Sequence, residues 1–213
     1  MKIGILGTGD VGRALGSAFA KLGNDVKLGS RDPNKPEAVA WAKAAGARAS
    51  VGTFADAAGF GELVVIATLG SATETALRSA GIERFRGKVV IDTTNPLDFS
   101  TGKPVLYVGR TDSAGEQVQR LLPDARVVKA FNTVGNALMF QPKLAGGPPD
   151  MFICGNDDGA KNTVTAILGD FGWGTVDAGG IEASRGLEPM CLVWVGYGAR
   201  TNTWTHAFRL LRK

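Results

Sequence analysis

The sequence opens with Met1-Lys-Ile-Gly-Ile-Leu-Gly-Thr-Gly-Asp-Val-Gly12, in which an apolar run leads directly into a glycine-rich segment. Apolar residues then recur at helical spacing, at Ala14, Leu15, Ala18, Phe19 and Leu22. The order strand, glycine-rich turn, helix is the context in which the pattern Gly-x-Gly-x-x-Gly binds the pyrophosphate of a dinucleotide. We therefore interpret residues 7–12 as a dinucleotide-binding fingerprint rather than as an ordinary glycine-rich turn.

Each glycine of the fingerprint has its own predicted task. Gly7 makes the tight turn after the strand, Gly9 lets the backbone approach the pyrophosphate, and Gly12 lets the helix and the strand pack closely. The free N–H groups at the start of the helix complete the anion site.

The end of the second predicted strand, Gly29-Ser30-Arg31, indicates which dinucleotide binds. In the usual fingerprint an acidic residue at this point accepts hydrogen bonds from the ribose hydroxyls. A carboxylate would repel a 2′-phosphate, whereas the Ser30 hydroxyl and the Arg31 guanidinium can donate hydrogen bonds to it, with Lys35 adding a second positive charge. The pattern favours NADP over NAD. The alternative is that Arg31 and Lys35 are solvated loop charges.

Composition sets further bounds. The chain has 213 residues, of which 44% are hydrophobic and 21% charged, as is typical of a globular protein with a sizeable core. The net charge is +4, but the basic residues are scattered, so we expect no nucleic-acid partner. No apolar run approaches 18 residues, and the first strand leaves no room for a signal peptide, so we expect no membrane segment and a cytoplasmic location. Cys154 and Cys191 lack metal-ligand spacing and are expected to be buried thiols rather than metal ligands.

Strand-like runs recur along the chain and define the expected fold. They lie at Lys2–Leu6, Asp25–Leu28, Ala47–Val51, Leu63–Ala67, Lys88–Asp92, Arg126–Phe131, Asp150–Cys154 and Thr175–Asp177. Runs that are apolar throughout fit strands buried on both faces of a parallel sheet. The predicted fold class is α/β, a doubly wound and mostly parallel eight-stranded sheet of the Rossmann type. We expect a single domain over residues 1–213, in which a C-terminal extension, residues 145–213, completes the sheet and provides an acceptor or dimer face.

The C-terminal extension has two predicted helices. Asn156 or Asp157 can cap a helix over Ala160–Phe171. A second apolar stripe at helical spacing comprises Leu187, Met190, Cys191, Trp194, Val195 and Gly198. We expect Pro189 in the first turn of this helix. The stripe needs a partner surface on the same domain or on a second subunit, and a dimer is slightly favoured; the tail after Thr201 has no clear pattern.

Ligands of open parallel sheets bind beyond the carboxyl ends of the strands, so we expect the functional site at that edge of the sheet. The segments that follow three strands there are Thr68-Leu69-Gly70-Ser71, Thr93-Thr94-Asn95-Pro96 and Asn132-Thr133. Their short hydroxyl and amide groups can hold the ribose and carboxamide of a nicotinamide, although Asn95-Pro96 and Asn132 are also typical of turns and caps. The predicted crevice has no obvious lysine or carboxylate pair for acid–base catalysis, and a lone histidine such as His206 is more often a packed or exposed side chain than a catalyst. Direct hydride transfer between cofactors fits such a site.

Several motifs together resemble one family. They are Gly7–Gly12, Gly29–Arg31 with Lys35, Asp92-Thr-Thr-Asn-Pro96, Lys129-Ala-Phe-Asn-Thr133, Cys154-Gly-Asn-Asp157 and Asp177-Ala-Gly179. Nearly end to end, the chain resembles the NADPH:deazaflavin oxidoreductase family, whose coenzyme is factor 420, an 8-hydroxy-5-deazaflavin. It is also similar to the cytosolic NADPH-binding module of six-transmembrane metalloreductases.

The resemblance implies a role for each matching position. Thr8, Gly9, Asp10 and Val11 would hold the pyrophosphate. Ser30, Arg31 and Lys35 would hold the 2′-phosphate. Thr68 and Asn95, with their neighbours Leu69 and Pro96, would lie at the nicotinamide side. Ala130, Phe131 and Asn132 would flank the hydride-transfer cleft.

The leading prediction is an NADP-dependent oxidoreductase that passes hydride between NADPH and factor 420, with free FMN, FAD or riboflavin as the next acceptors. One alternative is an NADPH-dependent reductase of a small carbonyl or imine. A third possibility is a non-catalytic module that senses NADP(H) and presents the stripe Leu187–Gly198 to a partner protein.

Overall fold

The structure is a computed structural model that describes residues 1–213. Its strands are β1 (Lys2–Leu6), β2 (Asp25–Ser30), β3 (Ala49–Thr53), β4 (Leu63–Ile66), β5 (Val89–Asp92), β6 (Leu97–Asp98), β7 (Val105–Leu106), β8 (Arg126–Lys129), β9 (Asp150–Gly155) and β10 (Gly174–Asp177). Its α-helices are α1 (Asp10–Lys21), α2 (Pro36–Ala45), α3 (Phe54–Phe60), α4 (Thr73–Ala80), α5 (Ala114–Leu121), α6 (Asp158–Asp170) and α7 (Ser184–Thr201).

Eight strands form one sheet in the order β10-β9-β8-β5-β4-β1-β2-β3, while β6 and β7 make a separate two-stranded hairpin. The six strands from β8 to β3 are parallel, and the order reverses between β1 and β4 as in a doubly wound fold. The predicted fold class and the eight strands are confirmed. The pair β8–β9 is antiparallel, because the connection over residues 130–149 contains no α-helix that could carry the chain back across the sheet.

Successive side chains of each strand point to opposite faces of the sheet and contribute to two hydrophobic cores. Ile3, Val65 and Ile91 pack with α1, α2 and α6 on one face of the sheet, within a cluster of 27 buried residues. Val64 and Val90 point to the opposite face, where α3, α4, α5 and the start of α7 cover a cluster of 16. The strands are apolar throughout because both faces of the sheet are buried.

Several expectations about element bounds are wrong. The strand predicted over Ala47–Val51 spans Ala49–Thr53, and the helix predicted over Ala160–Phe171 spans Asp158–Asp170. The strand predicted to reach Phe131 ends at Lys129, because Phe131 adopts the left-handed region with φ 62° and turns the chain out of the sheet. The last helix begins at Ser184, so Pro189 lies inside it rather than in its first turn. The helix tolerates the proline at the cost of one backbone hydrogen bond, with the ring at the exposed surface.

Other features of the C-terminal extension match the sequence. Asp157 is the residue that caps α6, since its side chain accepts a hydrogen bond from Ala160 N at 2.6 Å. Both cysteines are buried and free, and burial raises the pKa of each thiol to about 11. His206 is a packed side chain, stacked on Trp194 with ring centroids 4.7 Å apart. No helix is both long and apolar enough to span a membrane.

Candidate functional site

The turn between β1 and α1 has room for side chains at some positions and none at others. A Cβ at Gly7 would lie 2.2 Å from the Ala67 carbonyl oxygen, and one at Gly12 would lie 2.2 Å from the Gly7 carbonyl oxygen. Gly7 also has φ 128°, which side chains disfavour. By contrast, no atom lies within 4 Å of a Cβ placed on Gly9. Gly7 and Gly12 are therefore needed for packing, whereas Gly9 faces open space.

The start of α1 is open to an anion. No side chain caps the helix, so the N–H groups of its first turn have no side-chain partner. Arg13 braces the turn, because its guanidinium donates to the Thr8 carbonyl at 2.7 Å and to the Asp10 carboxylate at 2.6 Å. This ion pair offsets the negative charge of Asp10 at the place where a pyrophosphate would bind. Val11 is half-buried behind the turn.

The end of β2 carries the residues predicted to contact a 2′-phosphate. Ser30 is buried as the last residue of the strand, and its hydroxyl accepts a hydrogen bond from Asp32 N. Arg31 and Lys35 are exposed and take part in no ion pair. Two unpaired cations beside a buried hydroxyl are suited to a phosphate group.

The ends of β4, β5 and β8 meet along one edge, as predicted. The Asn95 side chain donates to the Asn132 carbonyl at 2.8 Å, and the Asn132 side chain donates to Asn95 Oδ1 at 3.1 Å. Thr68 is hydrogen-bonded to the Thr73 hydroxyl at 2.9 Å, Leu69 beside it is 79% exposed, and Pro96 is buried. The fold thus brings hydroxyl and amide groups together at this edge. Asn95 and Asn132, for example, are 37 residues apart in the sequence.

Ala130 and Phe131 are placed differently from Asn132. Their side chains are fully buried in the hydrophobic core, and the Phe131 ring packs against Phe171. Only their backbone can approach a ligand. The left-handed conformation of Phe131 is the kind of backbone strain that collects at functional sites.

A buried charged cluster lies beneath this edge, at the ends of β5 and β8. Lys129 Nζ is 2.7 Å from Asp92 Oδ2 and 3.2 Å from Glu188 Oε1, and all three side chains are at most 1% exposed. Lys129 also donates to the Thr94 carbonyl at 2.8 Å. The third member of the cluster, Glu188, comes from α7, far along the chain.

The pKa values in the cluster follow from burial and pairing. Burial alone would lower the pKa of Lys129, but Asp92 and Glu188 outweigh it and raise that pKa above its ordinary value. Burial raises the pKa of Glu188, opposed by the positive charge of Lys129 and by two backbone N–H groups. Burial, then Glu188 and Asp92, raise the pKa of the nearby Tyr107 phenol. Lys129 is therefore a fixed positive charge at neutral pH.

One signal in the sequence could have revealed part of the cluster. Asp92 and Lys129 are the last residues of neighbouring strands and are register partners, with Cys154 opposite Lys129 on the next strand. Register partners project to the same face of a sheet, so a carboxylate and an ammonium there predict an ion pair. Nothing in the sequence places Glu188 in the same cluster.

A cavity of about 600 Å³ adjoins this edge, between α4 and α5. Thr94 and Ala114, whose backbones are hydrogen-bonded to the charged cluster, line the cavity together with Tyr107. Apolar side chains of Leu77, Val118 and Leu121 form another part of its lining.

The fold and the site define a class of protein, an NADP-dependent oxidoreductase built on a Rossmann sheet. The family model described as NADP oxidoreductase, coenzyme F420-dependent, matches residues 2–96. The F420-dependent NADP reductase of Methanocaldococcus jannaschii is 32% identical over 209 residues, which cover 92% of each chain. The chain therefore belongs to the F420-dependent NADP reductase family.

Two further similarities extend this picture. A crystal structure from Arthrobacter sp. FB24, provisionally named as an F420-dependent NADP-reductase, is 40% identical with TM-score 0.94, and the match covers 100% of both chains. Metalloreductase STEAP3 of Rattus norvegicus is 30% identical over 193 residues, or 90% of this chain but 36% of that protein. The resemblance to the metalloreductases thus concerns one part of a longer protein.

Proposed function

We propose that this protein transfers hydride between NADPH and factor 420. The observation that carries the proposal is the character of the strand edge: hydroxyl and amide groups of Thr68, Asn95 and Asn132 line it, while the ionised side chains beneath are fully buried. Transfer between two cofactors requires alignment of their rings and little acid–base help from the protein. The relatives named as F420-dependent NADP reductases support factor 420 as the acceptor.

The proposed roles of the residues follow the geometry. The turn Thr8–Gly12 and the open start of α1 bind the pyrophosphate, and Ser30, Arg31 and Lys35 bind the 2′-phosphate. Asn95, Asn132 and Thr68, with Leu69 and Pro96, hold the nicotinamide end. The backbone at Ala130 and Phe131 shapes the far side of the cleft. When bound, NADPH supplies the hydride and the deazaflavin ring accepts it.

The test is a comparison of acceptors. Purified protein is mixed with NADPH or NADH, and the loss of reduced-nicotinamide absorbance is followed with factor 420, FMN, FAD and a panel of small carbonyl compounds supplied in turn. Rapid NADPH-selective reduction of factor 420 is expected. Reduction of flavins alone would contradict factor 420 as the acceptor. Tight NADPH binding without turnover of any acceptor would favour the non-catalytic module that senses NADP(H).

The proposal includes a cytoplasmic homodimer. The outer face of α7 presents Val193, 63% exposed, and Tyr197, 46% exposed, and apolar side chains on a helix surface favour association with a second copy. Sedimentation of the wild type and of Val193→Glu tests this. A monomeric wild type, or a dimer unchanged by the glutamate, would contradict it.

A further inference from the structure

We propose that Lys129 and Glu188 are positioning residues, which fix α7 and the Thr94–Asn95 segment at the crevice before any ligand binds. The inference rests on the proposed function in one respect only, the expected effect of these residues on hydride transfer. The arrangement itself comes from contacts among β5, β8, α5 and α7.

The first step concerns Thr94, which precedes the crevice residue Asn95. Asp92 Oδ1 accepts hydrogen bonds from the Thr94 backbone N–H at 2.9 Å and from its hydroxyl at 2.7 Å. Lys129 holds the carbonyl of the same residue. Thr94 is thus bound at three atoms and 3% exposed, so the backbone leading to Asn95 has one defined position.

The second step concerns α5. Glu188 accepts hydrogen bonds from Gly115 N at 2.9 Å and Ala114 N at 3.1 Å, two of the N–H groups left free at the start of that helix. Lys129 contacts the same carboxylate. One side chain of α7 therefore binds both the start of α5 and the end of β8.

The third step connects α7 to the crevice. Asn132 donates to the Leu187 carbonyl at 2.9 Å and also to Asn95 Oδ1. Leu187 immediately precedes Glu188, so the contact that orients the Asn132 amide depends on where the Glu188 carboxylate holds the helix. A shift of α7 would misplace both amides at the edge where the nicotinamide is proposed to lie.

The charges make this arrangement rigid. Removing one partner of a buried, hydrogen-bonded ion pair leaves an uncompensated charge, so intermediate positions of α7 are strongly disfavoured. Small errors in the placement of reacting groups reduce hydride-transfer rates steeply. Lys129 and Glu188 never touch the proposed ligands and act through Thr94, Asn95 and Asn132.

The experiment compares Glu188→Gln with Arg185→Gln. Arg185 pairs with Glu116 at 2.8 Å and joins the same two helices, but it lies at the surface, which makes it the matched control. For each protein we would measure NADPH affinity, kcat and KM for factor 420, and hydrogen exchange of residues 184–201. For Glu188→Gln we expect kcat/KM for the acceptor to fall about tenfold or more, NADPH affinity to stay within about twofold, and exchange of α7 to accelerate. Arg185→Gln should change none of these.

Parallel loss of NADPH affinity in Glu188→Gln, or equal behaviour of the two variants, would overturn the proposal. If the wild-type protein reduces no acceptor, the proposed function fails instead. The positioning role is then decided by hydrogen exchange, and equal exchange of α7 in the two variants rejects it. If Glu188→Gln does not fold, Glu188→Asp is the replacement: it keeps the charge, shortens the reach, and should show the same selective loss of acceptor turnover and the same faster exchange.

Discussion

Two parts of the proposed crevice, the turn after β1 and the ends of β5 and β8, are built by different means. At the turn between β1 and α1, residues 7–13 are contiguous, and the proposed anion site consists of backbone N–H groups at the uncapped start of the helix. Beneath the ends of β5 and β8, Asp92, Lys129 and Glu188 come from three separate elements and form a buried cluster with their side chains. A backbone site can be encoded by a short local motif, whereas a side-chain cluster exists only after the chain has folded.

The largest expected effect concerns the side-chain cluster. Lys129→Met leaves two buried carboxylates without their counter-charge and should lower the free energy of unfolding by about 3–5 kcal/mol. Urea denaturation measures the loss. Lys161→Met is the control, because Lys161 pairs with Asp158 and Asp177, whose side chains are 92% and 49% exposed. This substitution should cost about 1 kcal/mol or less. Equal losses of unfolding free energy in the two variants would show that the buried cluster contributes no more to stability than an exposed ion pair.

The next effect tests the backbone site. Gly7→Ala places a Cβ 2.2 Å from the Ala67 carbonyl oxygen, so it should lower the free energy of unfolding by about 2–4 kcal/mol. Gly9→Ala should leave the melting temperature unchanged and weaken NADPH binding, since its Cβ enters only the open space above the turn. Thermal unfolding and a fluorescence titration with NADPH separate these outcomes. A stable Gly7→Ala protein would contradict the tight packing of the turn.

The third effect concerns the predicted 2′-phosphate pocket at the end of β2, on the side of β1 away from the charged cluster. Arg31→Ala should weaken NADPH binding by about 1.5–3 kcal/mol, the value of a lost hydrogen bond to a charged group, and leave NADH binding nearly unchanged. Titration of both cofactors checks the difference, with exposed Arg48→Ala as a control. If both cofactors lose affinity equally, Arg31 does not recognise the phosphate.

The smallest effect concerns an ion pair between a basic and an acidic side chain at the surface. Arg120 binds Asp112 through two hydrogen bonds of 2.8 and 3.0 Å and lowers the pKa of that carboxyl to about 2. Because the folded pKa lies below the unfolded one, the stabilisation is present above about pH 4 and is lost as the pH falls through 2. Arg120→Ala should cost less than about 1 kcal/mol at pH 7, and the difference from wild type should disappear near pH 2 in chemical denaturation. A difference that persists at that pH would exclude this pair as its source.

The sequence by itself determined the sheet, the dinucleotide turn and the family, because each depends on local patterns. Apolar runs predict all eight strands of the sheet, with errors of a few residues at β3 and at β8, where Phe131 turns the chain. The start of α7 is predicted wrongly, because the helix accommodates Pro189 in its interior. Polar residues after the strands correctly placed Asn95 beside Asn132, since the ends of parallel strands meet at one edge.

Only the tertiary structure decided the rest. The antiparallel direction of β9, the burial of Ala130 and Phe131, and the meeting of Glu188 with Lys129 depend on how distant segments pack. A charged residue in a sequence looks the same whether it will be solvated or buried. Its environment is set by the elements that close over it, and here those elements are α5 and α7, which seal Lys129 beneath the crevice.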